Sequence, residues 1–385
     1  MALADGVPAG SRLTGRTPGV RVLAVNAGSS SLKLSVVGDQ DAVEAAEEAD
    51  GDADHVAALA GFIERVGDAD AVAHRIVHGG PDVRAAAVVD DWVRRRLDTA
   101  ATLAPLHVPP ALALLDAARR LSRAPEVVCV DTAFHATLPD RATTYAIPEP
   151  WRELGIRRYG FHGLSYAWAS RRTAELLQRP QEDLRLLMAH IGSGVSVCAA
   201  RGGRSVDTSM GFTPLEGAVM ATRSGSVDPG ALLWLQQSHG VAADEISDAL
   251  EHGSGLRALC GASDMREVEH RVQLGDVSAT AALDAYVHNL CRSIAAVAAS
   301  LDRVDALVFT GGIGEHSELV RGRVCAGLGV LGILRVDAPA SGDAVIAMPP
   351  GGPAVVVVTA REDAEMARET RGLLGGGAAV PPVAR

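Results

Sequence analysis

Two apolar hairpins, "RVLAVNAGSSSLKLSVV" around Gly28 and "RLLMAHIGSGVSVCAA" around Gly192, restrict the folds open to this chain more than any other feature. Each runs from an apolar strand through Asn26 or His190, an apolar residue and a Gly-Ser step into a second strand. Gly28 and Ser29 therefore fall on Gly192 and Ser193. A repeat whose copies lie this far apart predicts two duplicated lobes facing each other. Two unrelated hairpins that each need a Gly turn would give the same pattern. With 385 residues the chain also exceeds what one hydrophobic core usually organises, which favours two domains.

The rest of the sequence alternates short apolar runs with amphipathic Ala/Leu/Arg segments. Strands are expected at 20–25, 32–37, 71–77, 126–130, 185–189, 195–199, 306–309 and 354–359. Helices are expected at 54–66, 91–103, 110–122, 165–177, 229–237, 243–252, 278–301, 318–326 and 362–374. This alternation reads as an α/β protein with helices packed on sheets. Residues 1–19 lack the apolar middle of a signal peptide and read as a flexible leader, and the Gly- and Pro-rich end reads as a frayed tail. No apolar run reaches membrane-spanning length. A net charge of −11 argues against nucleic acid or an anionic membrane as the main partner, though not against a small anion held by clustered Arg. The five cysteines are scattered without zinc-ligand spacing, as free thiols in a reducing cytoplasm would be.

Gly-Ser turns leave backbone N–H groups open and add hydroxyl donors, so both hairpin turns are candidate anion nests. "GSSSLK" is not a Walker loop, because the Gly before Lys33 is missing and a strand follows. Lys33 is the only lysine in the chain, a compact ammonium beside a turn suited to phosphate. A third turn, "VFTGGIGEHSE", carries Gly311, Gly312 and Gly314 between a strand and a helix, where a nucleotide can approach the backbone. Arg75 and His78 end one apolar run, and Asp131 and His135 follow another; strand carboxyl ends are where open α/β sheets bind ligands. The long segment "SMGFTPLEGAVMATRSGSVDPG" holds Arg223 amid Gly, Pro and Ser, and structured loops of that length tend to be functional. Arg75 and Arg223 offer two planar forks for carboxylate and phosphate. Asp131 and Glu362 suit a Mg²⁺ held largely by water and phosphate. Surface ion pairing is the plain alternative for all four.

Taken in order, "NAGSSSLK", "HRIVHGG", "DTAFH", "YGFHG", "MGFTPLEGAVMATRSG" and "GGIGE" resemble the acetate kinase family over residues 20–374. The resemblance implies the duplicated two-lobed fold shared by sugar kinases, actin and Hsp70-type ATPases, with ribonuclease H-like lobes around an active-site cleft. It implies an N-terminal lobe of 20–150 plus 363–385, a C-terminal lobe of 151–362 containing a dimer interface, and a homodimer. It also implies direct, reversible, Mg²⁺-dependent (or Mn²⁺-dependent) phosphoryl transfer between ATP and acetate, giving acetyl phosphate and ADP. Position by position, Arg75, Asp131, His162, Arg223 and Asn26 match the catalytic set, with Asn26 and Glu362 at the metal. Val77, Leu106, Phe161 and Pro214 match the pocket for the acetate methyl, with Arg75 and His107 beside it. Ser29, Ser31, Lys33, His190, Gly192, Ser193 and Gly194 match the phosphate side of the nucleotide site. Asp264, Met265 and Arg266, with Gly311, Gly312, Ile313 and Gly314, match the adenosine side.

The chain departs from the family pattern at Ser193, His316 and Arg361, where Asn is usual, and at Ser226, where Asp is common. Propionate or butyrate kinase on the same fold is the nearest alternative. A nucleotide-driven clamp like Hsp70 or actin, transferring nothing to a small acid, is a second. A serine hydrolase is a third, since "GLSYA" around Ser165 resembles a nucleophile elbow, although no strand is expected immediately before it.

Overall fold

A computed structural model describes residues 19–375 apart from 29, 30, 52, 106 and 337. Nearly all of the expected leader and the last ten residues thus lie outside the described residues, as do Ser29 and Leu106. The fold is built on two mixed six-stranded sheets. The first comprises β1 (Val22–Ala27), β2 (Ser31–Val37), β3 (Val43–Asp50), β4 (Ala71–Ile76), β5 (Ala87–Val88) and β6 (Glu126–Val130), in the order β3-β2-β1-β4-β6-β5. The second comprises β7 (Arg185–Ile191), β8 (Val195–Arg201), β9 (Arg204–Thr208), β10 (Ala306–Thr310), β11 (Ala344–Ala347) and β12 (Ala354–Val357), in the order β11-β12-β10-β7-β8-β9.

The two sheets match strand for strand. Each opens with an antiparallel meander of three strands, continues from its first strand into two parallel neighbours, and closes with a short antiparallel edge strand. In both, that edge strand precedes its partner in sequence. The hairpins around Gly28 and Gly192 are the first turns of the two meanders, so the repeat legible in sequence is a duplication of whole sheets. Central strands covered on both faces read as unbroken apolar runs. Val22–Val25 in β1 and Leu186–Ala189 in β7 are accordingly all buried.

Amphipathic helices cover the sheets. Asp54 caps α1 (His55–Val66) by accepting from the amides of Val56 and Ala57, and α1 buries Leu59 and Phe62. Each of those side chains contributes about 1.5–3 kcal/mol by leaving water. α2 (Val108–Leu121) packs on β4 and on α1. In the second half, α4 (Val277–Ala298) buries Ala279, Ala282, Leu283, Tyr286, Leu290 and Ile294 at helical spacing. α3 (Gly163–Leu176) touches β7 and β10 of one sheet and β6 of the other, and it packs on α5 (Glu362–Leu374). α5 in turn lies on β1 and β4, returning the chain to the first sheet. Arg171 on α3 pairs with the fully buried carboxylate of Glu365 on α5. The carboxyl ends of the central parallel strands thus face a cleft between the sheets.

The strands β3, β5, β9 and β11 were not expected from the sequence, nor were helices such as Gly255–Cys260 and Met265–Gln273. β3 ("VEAAEEAD") is acidic and Ala-rich, which disfavours strand by propensity; cross-strand pairing with β2 over its whole length overrides that preference.

Candidate active site

Residues at strand ends converge on a cleft of about 870 Å³. Its walls include Asn26, Ser31, Lys33, Arg75, Val77, His107, Asp131, Phe161, His162, His190, Gly192, Ser193, Gly194, Pro214, Arg223, Gly311, Gly312 and Glu362. Arg75 is the hub of its first wall. Its Nη2 donates to Asp131 Oδ2 at 2.6 Å, its Nε faces both Asp131 oxygens at 3.2 Å, and its Nη1 donates to Asn26 Oδ1 at 3.1 Å. The Asn26 amide then donates to Glu362 Oε2 at 2.7 Å, so both ends of that amide are committed. Glu362 Oε2 also lies 3.9 Å from Arg75 Nε. Residues from β1, β4, the turn after β6 and the first turn of α5 are held in one network.

Burial opposes every charge in this network. For Arg75, Asp131 and Glu362 outweigh burial and hold the guanidinium more firmly protonated than usual. Burial pushes the Asp131 carboxyl up, with Arg75 opposing it. At Glu362 burial is outweighed by Arg75, with His190, Asn26 and Lys33 assisting, and the carboxyl is held below its ordinary value.

The second wall is built on the turn after β7 and on the start of α3. His162 caps α3 with φ 58°, a left-handed conformation rare outside glycine and costing about 1–3 kcal/mol. Gly163 makes the turn possible: its amide donates to Asp131 O at 3.0 Å, and a Cβ there would sit 2.0 Å from that oxygen. The His162 ring stacks on His190 with centroids 4.2 Å apart. A methyl on Gly194 would lie 3.4 Å from Arg223 Nη2 and 3.5 Å from His162 Nε2, so a guanidinium and an imidazole flank this Gly turn. Arg223 Nη1 donates to Pro214 O at 2.9 Å, tying the cation to the apolar pocket formed with Val77 and Phe161. Burial lowers the Arg223 pKa, with Glu251 opposing.

Burial, reinforced by neighbouring cations, keeps the cleft histidines neutral. His162 is held well below its ordinary value by burial, then by His190, Arg75 and Arg223. His190 is lowered to about 4, mainly by burial, and so is His107, where Arg223 and Arg75 add to burial.

Several residues stand elsewhere. Met265 is buried in the core, and Asp264 caps the helix Met265–Gln273 while gripping the exposed guanidinium of Arg266; none of the three lines the cleft. Ile313 packs against the core and Gly314 is buried behind the third turn. His78 and His135 are fully enclosed. His78 accepts from the Gly80 amide, and His135 bonds Ser205 and the Phe161 carbonyl, so both brace the loop that carries Phe161 and His162. Ser165 is buried within α3 against His190, with no strand leading into it, which removes the hydrolase alternative. His316 and Arg361, where the chain departs from the family pattern, line the cleft, as do Glu47, Glu48, Glu315 and Asp363, which the sequence did not single out. Glu48 accepts from Ser31 Oγ at 2.7 Å and lies 3.8 Å from Lys33 Nζ, both on an exposed rim.

A pair of matching lobes, three Gly turns and two arginines beside an apolar pocket define the class of nucleotide-dependent phosphotransferases with a small acceptor. Residues 53–368 match the acetokinase family model. The acetate kinase of Deinococcus radiodurans is 46% identical over 314 residues, 80% of this chain and 79% of that protein. The crystal structure of Porphyromonas gingivalis acetate kinase is 32% identical, covers 92% of this chain and 100% of its own, and superposes with a TM-score of 0.83. A propionate kinase from Francisella tularensis is 29% identical, covers 91% and 98%, and has a TM-score of 0.81. The chain belongs to the acetokinase family.

Proposed function

We propose that the protein is an acetate kinase that transfers the terminal phosphoryl group of ATP directly to acetate, reversibly, giving acetyl phosphate and ADP. The reading rests on Arg223 and His162 flanking the Gly192–Gly194 turn, in one cleft with Arg75 and the pocket of Val77, Phe161 and Pro214. Phosphoryl transfer asks a protein mainly for alignment and for neutralising charge on the equatorial oxygens. The two guanidinium groups grip the acetate carboxylate and the migrating phosphoryl group together. His162 donates a hydrogen bond to that group, and the pocket faces the methyl. Acetate needs no base, since its carboxylate is already ionised near pH 7. Lys33, Ser31, His190 and Ser193 meet the phosphates of the nucleotide, with Gly311 and Gly312 opposite.

A divalent cation fits the donor set of Glu362 and Asp131 with Asn26. Mg²⁺ is commonly held by one or two carboxylates plus water and phosphate, and Glu362 is kept ionised by its surroundings. When bound, the cation supplies charge neutralisation at the phosphates. We assign Mg²⁺, with Mn²⁺ as a substitute. The enzyme is further proposed to be a cytoplasmic homodimer. The helix Pro229–His239 buries none of its residues and exposes Leu233 and Trp234, a face suited to a second copy. No described helix is long and apolar enough to cross a membrane.

A likeness to a propionate kinase makes acyl length the competing choice. One methylene is worth about 1–3 kcal/mol in such a pocket. ADP production coupled to NADH oxidation, run with acetate, propionate and butyrate, decides it. The highest kcat/KM is expected for acetate, and a higher value for propionate would transfer the assignment.

A further inference from the structure

We propose that Ser196 and Tyr166 are positioning residues that fix His162 as the Nε2–H tautomer, aiming a hydrogen-bond donor at the Gly192–Gly194 turn. The inference rests on the proposed phosphoryl transfer for its catalytic consequence, but not for the tautomer itself.

The direction follows from hydrogen accounting in a closed pocket. Ser196 on β8 and Tyr166 on α3 are both fully buried. Ser196 Oγ lies 2.9 Å from His162 Nδ1 and 2.5 Å from the Tyr166 hydroxyl. Among the described residues Ser196 Oγ is the only group that forms a hydrogen bond with the Tyr166 hydroxyl, so it is the one acceptor open to the buried phenol hydrogen. The phenol hydrogen therefore goes to Ser196 Oγ. The seryl hydrogen then goes to His162 Nδ1, which must be a bare acceptor. The reverse order, from Nδ1–H through Ser196 to Tyr166, would leave the phenol hydrogen buried with no acceptor. An unmet buried donor costs about 1–3 kcal/mol, enough to set one order over the other.

With Nδ1 accepting, the ring proton of the neutral imidazole sits on Nε2. That edge faces the position a Gly194 methyl would occupy, at 3.5 Å, beside Arg223 Nη2. The stacked ring of His190 is held in a matching way, its Nδ1 2.8 Å from the buried Ser165 hydroxyl and its Nε2 3.6 Å from the site of a Gly192 methyl. The contacts are crossed. Ser165 stands three residues after His162, and Ser196 stands on the strand paired with His190, so the two segments exchange His–Ser contacts and lock each other. Neither serine nor the tyrosine lines the cleft, so none of them touches substrate.

The test is the tautomer of His162 in the intact enzyme. Two-bond ¹H–¹⁵N correlation spectra of histidine-labelled protein should show an Nε2–H pattern for His162, assigned by its absence in His162→Gln. Ser196→Ala should mix the two tautomers and lower kcat by about tenfold to a hundredfold, with the KM for acetate little changed, as loss of one hydrogen bond that holds a donor in place does. Ser196→Thr, which restores the hydroxyl, should recover both. Tyr166→Phe, which removes only the phenol oxygen, should shift the tautomer in the same direction. An Nδ1–H pattern in the wild type, or an unchanged tautomer in both Ser196→Ala and Tyr166→Phe, overturns the proposal. A shifted tautomer with unchanged kcat overturns the catalytic consequence. If the enzyme uses a different carboxylate, kcat is read on that acid and the tautomer result stands.

Discussion

Replacing Arg75 with Ala removes the one cation shared by Asp131, Asn26 and Glu362, and its two consequences can be sized. The side chain makes charge-assisted contacts of 2.6 and 3.2 Å to Asp131 and 3.1 Å to Asn26, and it stands 3.9 Å from Glu362. Its loss leaves two enclosed carboxylates without their counter-ion. Breaking a buried pair from one side costs about 3–5 kcal/mol, a large share of the roughly 5–15 kcal/mol that holds a typical domain together. The loss of one preorganised charge at the migrating phosphoryl group costs about 3–4 kcal/mol more in the transition state, or roughly 10²–10³ in kcat. Arg75→Lys keeps the charge, but a single ammonium cannot reproduce a fork that serves three partners, so it should fall between. Urea unfolding followed by circular dichroism reads the first consequence, and the coupled ADP assay on folded protein reads the second. A folded Arg75→Ala enzyme with kcat within tenfold of wild type would refute the role assigned to this residue.

Acid should weaken the fold. His78 and His135 are almost fully buried, and burial lowers each to about 4 from an ordinary 6.5. The unfolded chain therefore binds more protons than the native one between those values, and stability falls as pH falls through that window. Each should cost about 2 kcal/mol by pH 5, so the urea midpoint should drop between pH 7 and pH 5; a constant midpoint would contradict the burial argument. Gly163→Ala forces a methyl to within 2.0 Å of Asp131 O and should lower both the melting temperature and kcat, because the loop carrying Asp131 must move. A variant with native melting and activity would show that this close approach is dispensable.

The duplication was legible because hairpin turns and apolar strands carry strong local signals, and Gly28 and Gly192 mark equivalent turns. Arg75, Asp131 and Glu362 were legible as candidates because each ends a strand or opens a helix, where such chains place ligands. The acidic strand β3 was not, because its pairing with β2 is a tertiary fact that composition hides. Nor was the crossed contact of His162 with Ser196 and His190 with Ser165. Those partners sit on separate elements, and the left-handed backbone of His162 that brings them together has no signature beyond its flanking glycines. Asp264 and Arg266 show the opposite case, a motif whose residues cap a helix and pair with each other away from the cleft.

Transfer of a phosphoryl group to acetate makes an acyl phosphate, which hydroxylamine traps as a hydroxamate. With MgATP and acetate the enzyme should form acetyl hydroxamate in a one-to-one ratio with ADP, and it should form neither without acetate. ADP released without hydroxamate would contradict phosphoryl transfer to acetate and make the protein a nucleotide-driven clamp instead.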